Sequence, residues 1–387
     1  MSTVTEQPVP PADGAAAGPT PTRERGTWSL TWHGVATVAK LELRQRLRST
    51  KWYIGLAVFF VIVGVVTVLT TMTVGNESVL GDGGFGRVVF DVVVFFILLL
   101  GILVAPTLSS SAINGDRNAG TLAILQVTLL TPAEIAVGKL LAAWAAALAF
   151  LVVSLPFLLW GIAQGGMSIA AVLVTIGLLA FVLAIVVALG LGFSSLVPKT
   201  SSSAVLTYLS VASLTVISLI VFGLSLALTV APTEVRVWDV PAAAHQDWGW
   251  EEGTEPTWEC EWRTDTWDQP HTERTWWLLA INPFVVVADA MPEDVRTADQ
   301  DYYSPTGIMS AIRYGVREAR MGPQLESDQC WGYGSVESPV KPRDPDRTPV
   351  WPWGMGALTL LGGAGLVVAV RRLSIPVRKL PRGTRIA

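Results

Sequence analysis

Six stretches of the chain read as nearly unbroken apolar runs, separated by polar, charged or glycine- and proline-marked segments. A helix rises about 1.5 Å per residue, so about 20 apolar residues cross the hydrocarbon of a bilayer. Five runs meet that length: Tyr53 to Thr73, Val88 to Ile113, Leu140 to Ala163, Ile169 to Val197 and Ala204 to Val230. A sixth, Trp353 to Val370 within 351–370, is shorter and rich in glycine. The pattern predicts an all-α polytopic membrane protein with six transmembrane helices. Spans one to five occupy 53–230, and a long polar insertion, 231–350, separates spans five and six.

Two polar intervals carry helical periodicity of their own. In "HGVATVAKLELRQRLRSTKW", Val35, Val38, Ala39, Leu43 and Leu47 share one side of a helix, while Lys40, Arg44 and Arg48 recur every four residues on another. That stripe over 27–52 predicts an interfacial helix with cations toward anionic headgroups; a plain basic flank is the alternative. Between spans two and three, "AGTLAILQVTLL" repeats Leu122, Ile124, Leu125 and Leu129 at helical spacing, and Asp116 ahead of it complements the helix dipole. Pro132 ends that helix, and Ala133 to Lys139 reads as a second short turn feeding span three, with Lys139 reaching to the headgroups. Such an element suits a partner's groove; an inert loop is the other reading.

Charge then gives the pattern an orientation. The 387 residues are 51% hydrophobic and 15% charged, and the net charge of −4 hides a segregation of signs. Lys40, Arg44, Arg46, Arg48 and Lys51 precede span one, and Arg371, Arg372, Arg378, Lys379, Arg382 and Arg385 follow span six. Short cytoplasmic loops carry the excess of Lys and Arg, so both termini are expected in the cytoplasm, and the segment 114–138 with them. In the insertion acids outnumber bases about two to one, which suits an extracytoplasmic side. Residues 1–26, rich in Pro, Ala, Thr and Gly, read as a disordered tail without a signal peptide, and 371–387 as a basic cytoplasmic tail.

Candidate chemistry is sparse. Gly138 and Lys139 are followed by Leu140, and Ala133 stands where a P-loop needs glycine, so no GxxxxGK[ST] is present. His33, His245 and His271 all lie outside the apolar runs, and neither HExxH nor GxSxG occurs. No enzyme activity, metal site or nucleic-acid partner is expected. The serines of "GFSSLVP" read as packing or backbone-bonding residues. Asp91, an acid inside span two, either has a substrate or ion role or reaches headgroups and water.

The insertion holds Trp238, Trp248, Trp250, Trp258, Trp262, Trp267, Trp276 and Trp277. Period-two patterning such as "WECEW" predicts strands with aromatic faces, and "SAIRYGVREARM" a short helix, giving a small α/β insertion. Its aromatics either form a core and an interfacial belt or bind a ligand. Cys260 and Cys330, the only cysteines, are either a disulfide or two free thiols. "AINPFVVVADA" within 278–290 is too short to cross and predicts a re-entrant or surface-lying helix.

Three of these segments together resemble the ABC-2 type transporter permeases, the membrane subunits of bacterial ABC exporters. "NGDRNAGTLAILQVTLLTPAEIAVGKLL" is similar to the family's signature at Asp116, Arg117, Gly120, Thr121, Leu122, Leu125, Pro132, Gly138 and Lys139, with Asp116 where the family more often has Glu. "VAKLELRQRLRSTKW" is similar to its basic amphipathic leading helix, and "WWLLAINPFVVVADA" to its Asn-Pro segment before the last span. The resemblance implies a permease of the cytoplasmic membrane, in a homo- or heterodimer with a second permease and surrounded by lipid. A cytoplasmic ABC ATPase would dock at Asp116 to Leu130, with Asp116, Arg117, Gly120, Thr121, Leu122, Leu125 and Pro132 as the coupling interface. That partner would use ATP and Mg, and this chain would bind no cofactor. Asn282, Pro283 and Phe284 would then be outer-gate candidates. The competing reading is a membrane receptor whose Trp-rich outer domain binds a ligand and signals through the cytoplasmic helix.

Overall fold

The computed structural model describes residues 26–74, 84–122, 130–165, 168–241, 260–292, 307–330, 338–341, 343–344 and 346–374. The expected N-terminal tail before residue 26, Leu125, the tryptophans Trp248, Trp250 and Trp258, and the basic residues after 374 lie outside that set.

Among the described residues, a leading helix, Trp32–Leu47, is followed by six helices long and apolar enough to cross a membrane: Thr50–Val74, Phe85–Asn118, Pro132–Ala163, Ile169–Leu196, Thr200–Leu228 and Trp351–Leu373. The chain is a multi-pass membrane protein. Span two bends through a turn at residues 110–113 into a short helix, Asn114–Asn118. Spans two, three and four form the centre, where Phe90, Ile97 and Leu98 pack with Phe150, Leu179 and Val186. Spans one and five lie outside it and turn Val58, Leu69, Leu209 and Leu224 away from the protein. Lipid solvates such a surface, and the helices satisfy their own backbone groups, so it costs nothing in a bilayer.

Spans three and six are both longer than their apolar runs. Span three starts at Pro132 instead of Leu140, because Thr131 and Glu134 form a reciprocal capping box and Pro132 takes the first helical position. The separate short turn expected at Ala133 to Lys139 is therefore the first two turns of span three, which adds about 12 Å to its length. Span six runs 23 residues, about 35 Å, enough to cross. Its glycines are a packing surface: a Cβ on Gly365 would lie 2.7 Å from the Ala188 carbonyl oxygen, and one on Gly192 only 2.8 Å from Gly365 Cα. Small residues let spans four and six approach backbone to backbone.

Span five contains a turn of π-helix, Ser213–Ile217, flanked by Thr200–Ala212 and Ser218–Leu228. It passes almost directly into strand β1, Val230–Asp239, which pairs antiparallel with β2, Glu261–Pro270, and parallel with the short β3, Glu326–Asp328. The sheet order is β2-β1-β3. Trp238 and Trp262 face each other across β1 and β2 with ring centroids 5.5 Å apart. A disulfide joins Cys260, before β2, to Cys330, after β3, with Cα atoms 6.3 Å apart.

The apolar segment before residue 290 is two helices, Trp277–Ala280 and Pro283–Ala290, broken at Ile281 and Asn282. The amphipathic helix Ile308–Met321 lies against the second of these and against span two. Asp91 is only 2% exposed: its Oδ2 accepts from the Ser310 amide at 3.2 Å, so the acid sits against the first turn of that helix. This corrects the expectation that Asp91 reaches headgroups or water, since an acid at a helix N-terminus complements both the dipole and the free amides.

Candidate functional site

At the end of the bundle that carries the leading helix, three elements meet: that helix, the short helix Asn114–Asn118 and the first turns of span three. The Thr-x-x-Glu sequence at 131–134 builds the corner. Glu134, fully buried, accepts from the Thr131 amide at 2.9 Å and from the Thr31 amide at 2.9 Å, and bonds the Thr31 hydroxyl as well. Thr131 Oγ1 in turn donates to the Ser29 carbonyl at 2.6 Å. One carboxylate thereby serves the N-terminal ends of two helices.

One turn further along span three, Lys139 is 1% exposed, and its ammonium is bonded by both Glu42 of the leading helix and Asp116 of the short helix. The expectation that Lys139 reaches the headgroups is therefore wrong; two carboxylates hold it inside. At the far end of the leading helix, Arg46 Nη2 donates to the Leu108 carbonyl at 2.6 Å, tying it to the last helical turn before the bend in span two. Burial lowers the Arg46 pKa and the neighbouring Glu42 raises it; a guanidinium stays charged regardless. Ser194 of span four accepts from the amides of Ile113 at 3.0 Å and Asn114 at 3.2 Å, the backbone-bonding role expected of that serine. Spans two, three and four and the leading helix are thus linked at one corner.

The residues expected at a coupling interface divide there. Asp116 faces inward to Lys139, and Arg117 and Thr121 are exposed, with the Thr121 hydroxyl donating to the Asp116 carbonyl at 3.3 Å. Gly120 has φ +74°, a left-handed conformation that favours glycine, so it turns the chain. Leu122 is buried with Ile113, Ile135, Leu191 and Leu373. Its side chain therefore holds the loop to the bundle and is not offered to a partner, because this apolar cluster already encloses it. Pro132 opens span three, and Leu125 falls outside the described residues. Lys40, Arg44 and Arg48 all lie exposed on the leading helix, whose Val35 and Val38 are buried.

Glu42 and Glu134 escaped the sequence reading. The first is the one acid in the basic stretch from Lys40 to Lys51; the second stands in a Thr-x-x-Glu pattern that is a sequence signal for a helix start. Gly138 matters for a related reason, since a Cβ there would meet Val38 Cβ at 2.6 Å. Gly138→Leu is expected to push the leading helix off span three and cost about 1–3 kcal/mol. Gly177→Leu, where nothing lies within 4 Å, should leave thermal unfolding unchanged.

At the opposite end, Asn282 Oδ1 accepts from the Phe284 amide at 2.9 Å, while its Nδ2 donates to the Thr215 carbonyl at 2.8 Å and to Ser218 Oγ at 3.3 Å. Thr215 lies in the π-turn of span five, so Asn282 joins the broken helix pair to that irregular turn. Pro283 takes the first helical position, and the Phe284 ring lies 5.0 Å from Phe95 of span two.

A family model described as ABC-2 family transporter protein matches residues 36–315. The matched region begins in the leading helix, takes in spans one to five and reaches the amphipathic helix Ile308–Met321. No curated protein matches the chain.

Proposed function

The chain belongs to the ABC-2 transporter family, and from that premise we propose that it is the permease subunit of an ATP-driven exporter whose motor is a separate cytoplasmic ATPase. The end carrying the leading helix then faces the cytoplasm, in keeping with its Lys and Arg excess, and the insertion faces outward. The partner docks on the exposed residues Arg117 and Thr121 and on the segment that follows, and it binds and hydrolyses ATP with Mg. A second permease, identical or related, completes the membrane pathway.

The observation that carries this reading is the corner itself. Asp116 lies next to Arg117 on the short helix and is bonded to Lys139 of span three, which is bonded in turn to Glu42 of the leading helix. Force applied at the short helix would therefore reach spans two and three and the leading helix through bonded groups. Asn282 and its neighbours, wedged between span five and span two, are the parts that would shift when the outer side opens.

Purification of the tagged chain in nanodiscs, followed by mass spectrometry of bound proteins, tests the proposal. A P-loop ATPase in stoichiometric amount is expected with the wild type, and Arg117→Glu with Thr121→Asp should lose it without lowering the permease's own unfolding temperature. Absence of any ATPase from the preparation, together with no crosslink from residue 117 in intact membranes, would sink the reading.

A further inference from the structure

Residues of spans one and two and the end of the leading helix line a groove of about 550 Å³. Arg46, Ser49 and Lys51 stand at one end of it. Below them the walls are Val58 and Ile62 on span one and Leu100 and Leu103 on span two, with Phe150 of span three on its lining too. Val58 and Leu103 are both more than half exposed, so none of the described residues covers them. Lys51 to Ile62 rises about 16 Å along a helix, close to one leaflet of a hydrocarbon core about 30 Å thick.

The polar end is not neutral. Lys51 is exposed, and the partly buried Arg46 spends Nη2 on the Leu108 carbonyl while its Nε is enclosed without a hydrogen-bond partner. Arg44 and Arg48, also exposed, add to the positive field nearby. A cationic mouth over an apolar slot one leaflet deep matches a molecule with an anionic head and hydrocarbon tails.

We propose that the groove between spans one and two is a binding site for one anionic phospholipid, its phosphate held by Arg46 and Lys51 and one acyl chain lying between Val58 and Leu103. The site differs from ordinary boundary lipid in having a charge requirement at one end and a fixed apolar slot at the other. It stands independently of the transporter reading, because it concerns only how the chain meets its membrane.

The test is native mass spectrometry of the protein released from nanodiscs made of equal phosphatidylglycerol and phosphatidylcholine with the same acyl chains. One phosphatidylglycerol retained per chain is expected. Arg46→Gln with Lys51→Gln should lower the preference for it roughly thirtyfold, and Lys51→Gln alone roughly fivefold, at about one kcal/mol for each cation near the surface. The single Lys51 variant matters because Arg46 also ties the leading helix to span two, and its loss could disturb the fold. Leu103→Trp, which fills the slot, should reduce retention of both lipids. Equal retention of the two lipids by the wild type would overturn the proposal, as would a preference untouched by Lys51→Gln and the double variant. Displacement of the lipid by glycerophosphoglycerol, which lacks acyl chains, would also overturn it by showing a headgroup site alone. Efficient crosslinking of Val58→Cys between two copies would overturn it too, by showing that a second chain fills the groove.

Discussion

Lys139→Met is expected to lower the stability of the purified chain by about 3 kcal/mol, the lower end of what removing one partner from a buried ion pair costs. Methionine preserves the unbranched stem and most of its volume, so the loss comes from charge. The ammonium is enclosed, and without it Glu42 and Asp116, which converge on one point, would face each other with no cation between them. Asp116 keeps some access to water, which moderates the effect. Thermal unfolding followed by fluorescence should show a clear fall in midpoint. Adding Glu42→Gln and Asp116→Asn to Lys139→Met should recover most of it, because the stranded charges are then gone. An unchanged midpoint in the single variant would mean that the corner is solvated and that its three elements are not tied by charge. In the same triple variant the fold is restored without the ionic tie, so a partner ATPase that still binds but no longer drives transport would separate coupling from assembly.

Hydropathy made the six spans legible, because a bilayer selects length and apolarity within a single segment. It failed at their ends, where partners distant in sequence decide. Glu134 and Lys139 read as groups outside the membrane, yet both are buried in the leading part of span three, and their partners Thr31 and Glu42 lie about a hundred residues earlier. No periodicity announces such a pair. Span six looked weak for its glycines, which only the backbone of span four explains. In the insertion, the helix "SAIRYGVREARM" was readable as a helix, whereas the alternation in "WECEW" reaches only the start of β2, and β1 begins where the fifth apolar run was read to end. The apolar segment at 278–290 read as one element, and its break at Ile281 and Asn282 was visible only as Asn-Pro. The amide of Asn282 is occupied by the π-turn of span five, an irregularity that no side-chain pattern in "SLTVI" foretells.

Asp289 was hidden for the same reason, and its removal is the other substitution expected to have a large effect. It stands at the end of "PFVVVADA" and reads as the polar edge of an apolar segment, yet its side chain is fully enclosed. Oδ1 accepts from Arg317 Nε at 2.7 Å, and Oδ2 accepts from the amides of Val350 at 2.6 Å and Trp351 at 2.8 Å. One carboxylate thus pairs with Arg317 of the amphipathic helix Ile308–Met321 and supplies the N-terminal cap that span six otherwise lacks. Asp289→Ala leaves a largely buried guanidinium and two unpaired amides, and about 3–5 kcal/mol is expected to be lost. Asp289→Asn keeps the size but turns an NH₂ group toward one set of donors, so it should recover only part. Arg317→Met added to Asp289→Ala should also recover part, since it removes the stranded cation while the helix end stays uncapped. Thermal unfolding of the four proteins orders them as wild type, then Asp289→Asn and the double variant, then Asp289→Ala. Because Arg313 meanwhile bonds the carbonyls of Ala288 and Met291, the C-terminal end of the helix Pro283–Ala290 keeps a partner in every variant. If Asp289→Ala unfolded with the wild type, the apolar contact of Val286 with Leu358, rather than the carboxylate, would be what holds that segment to span six.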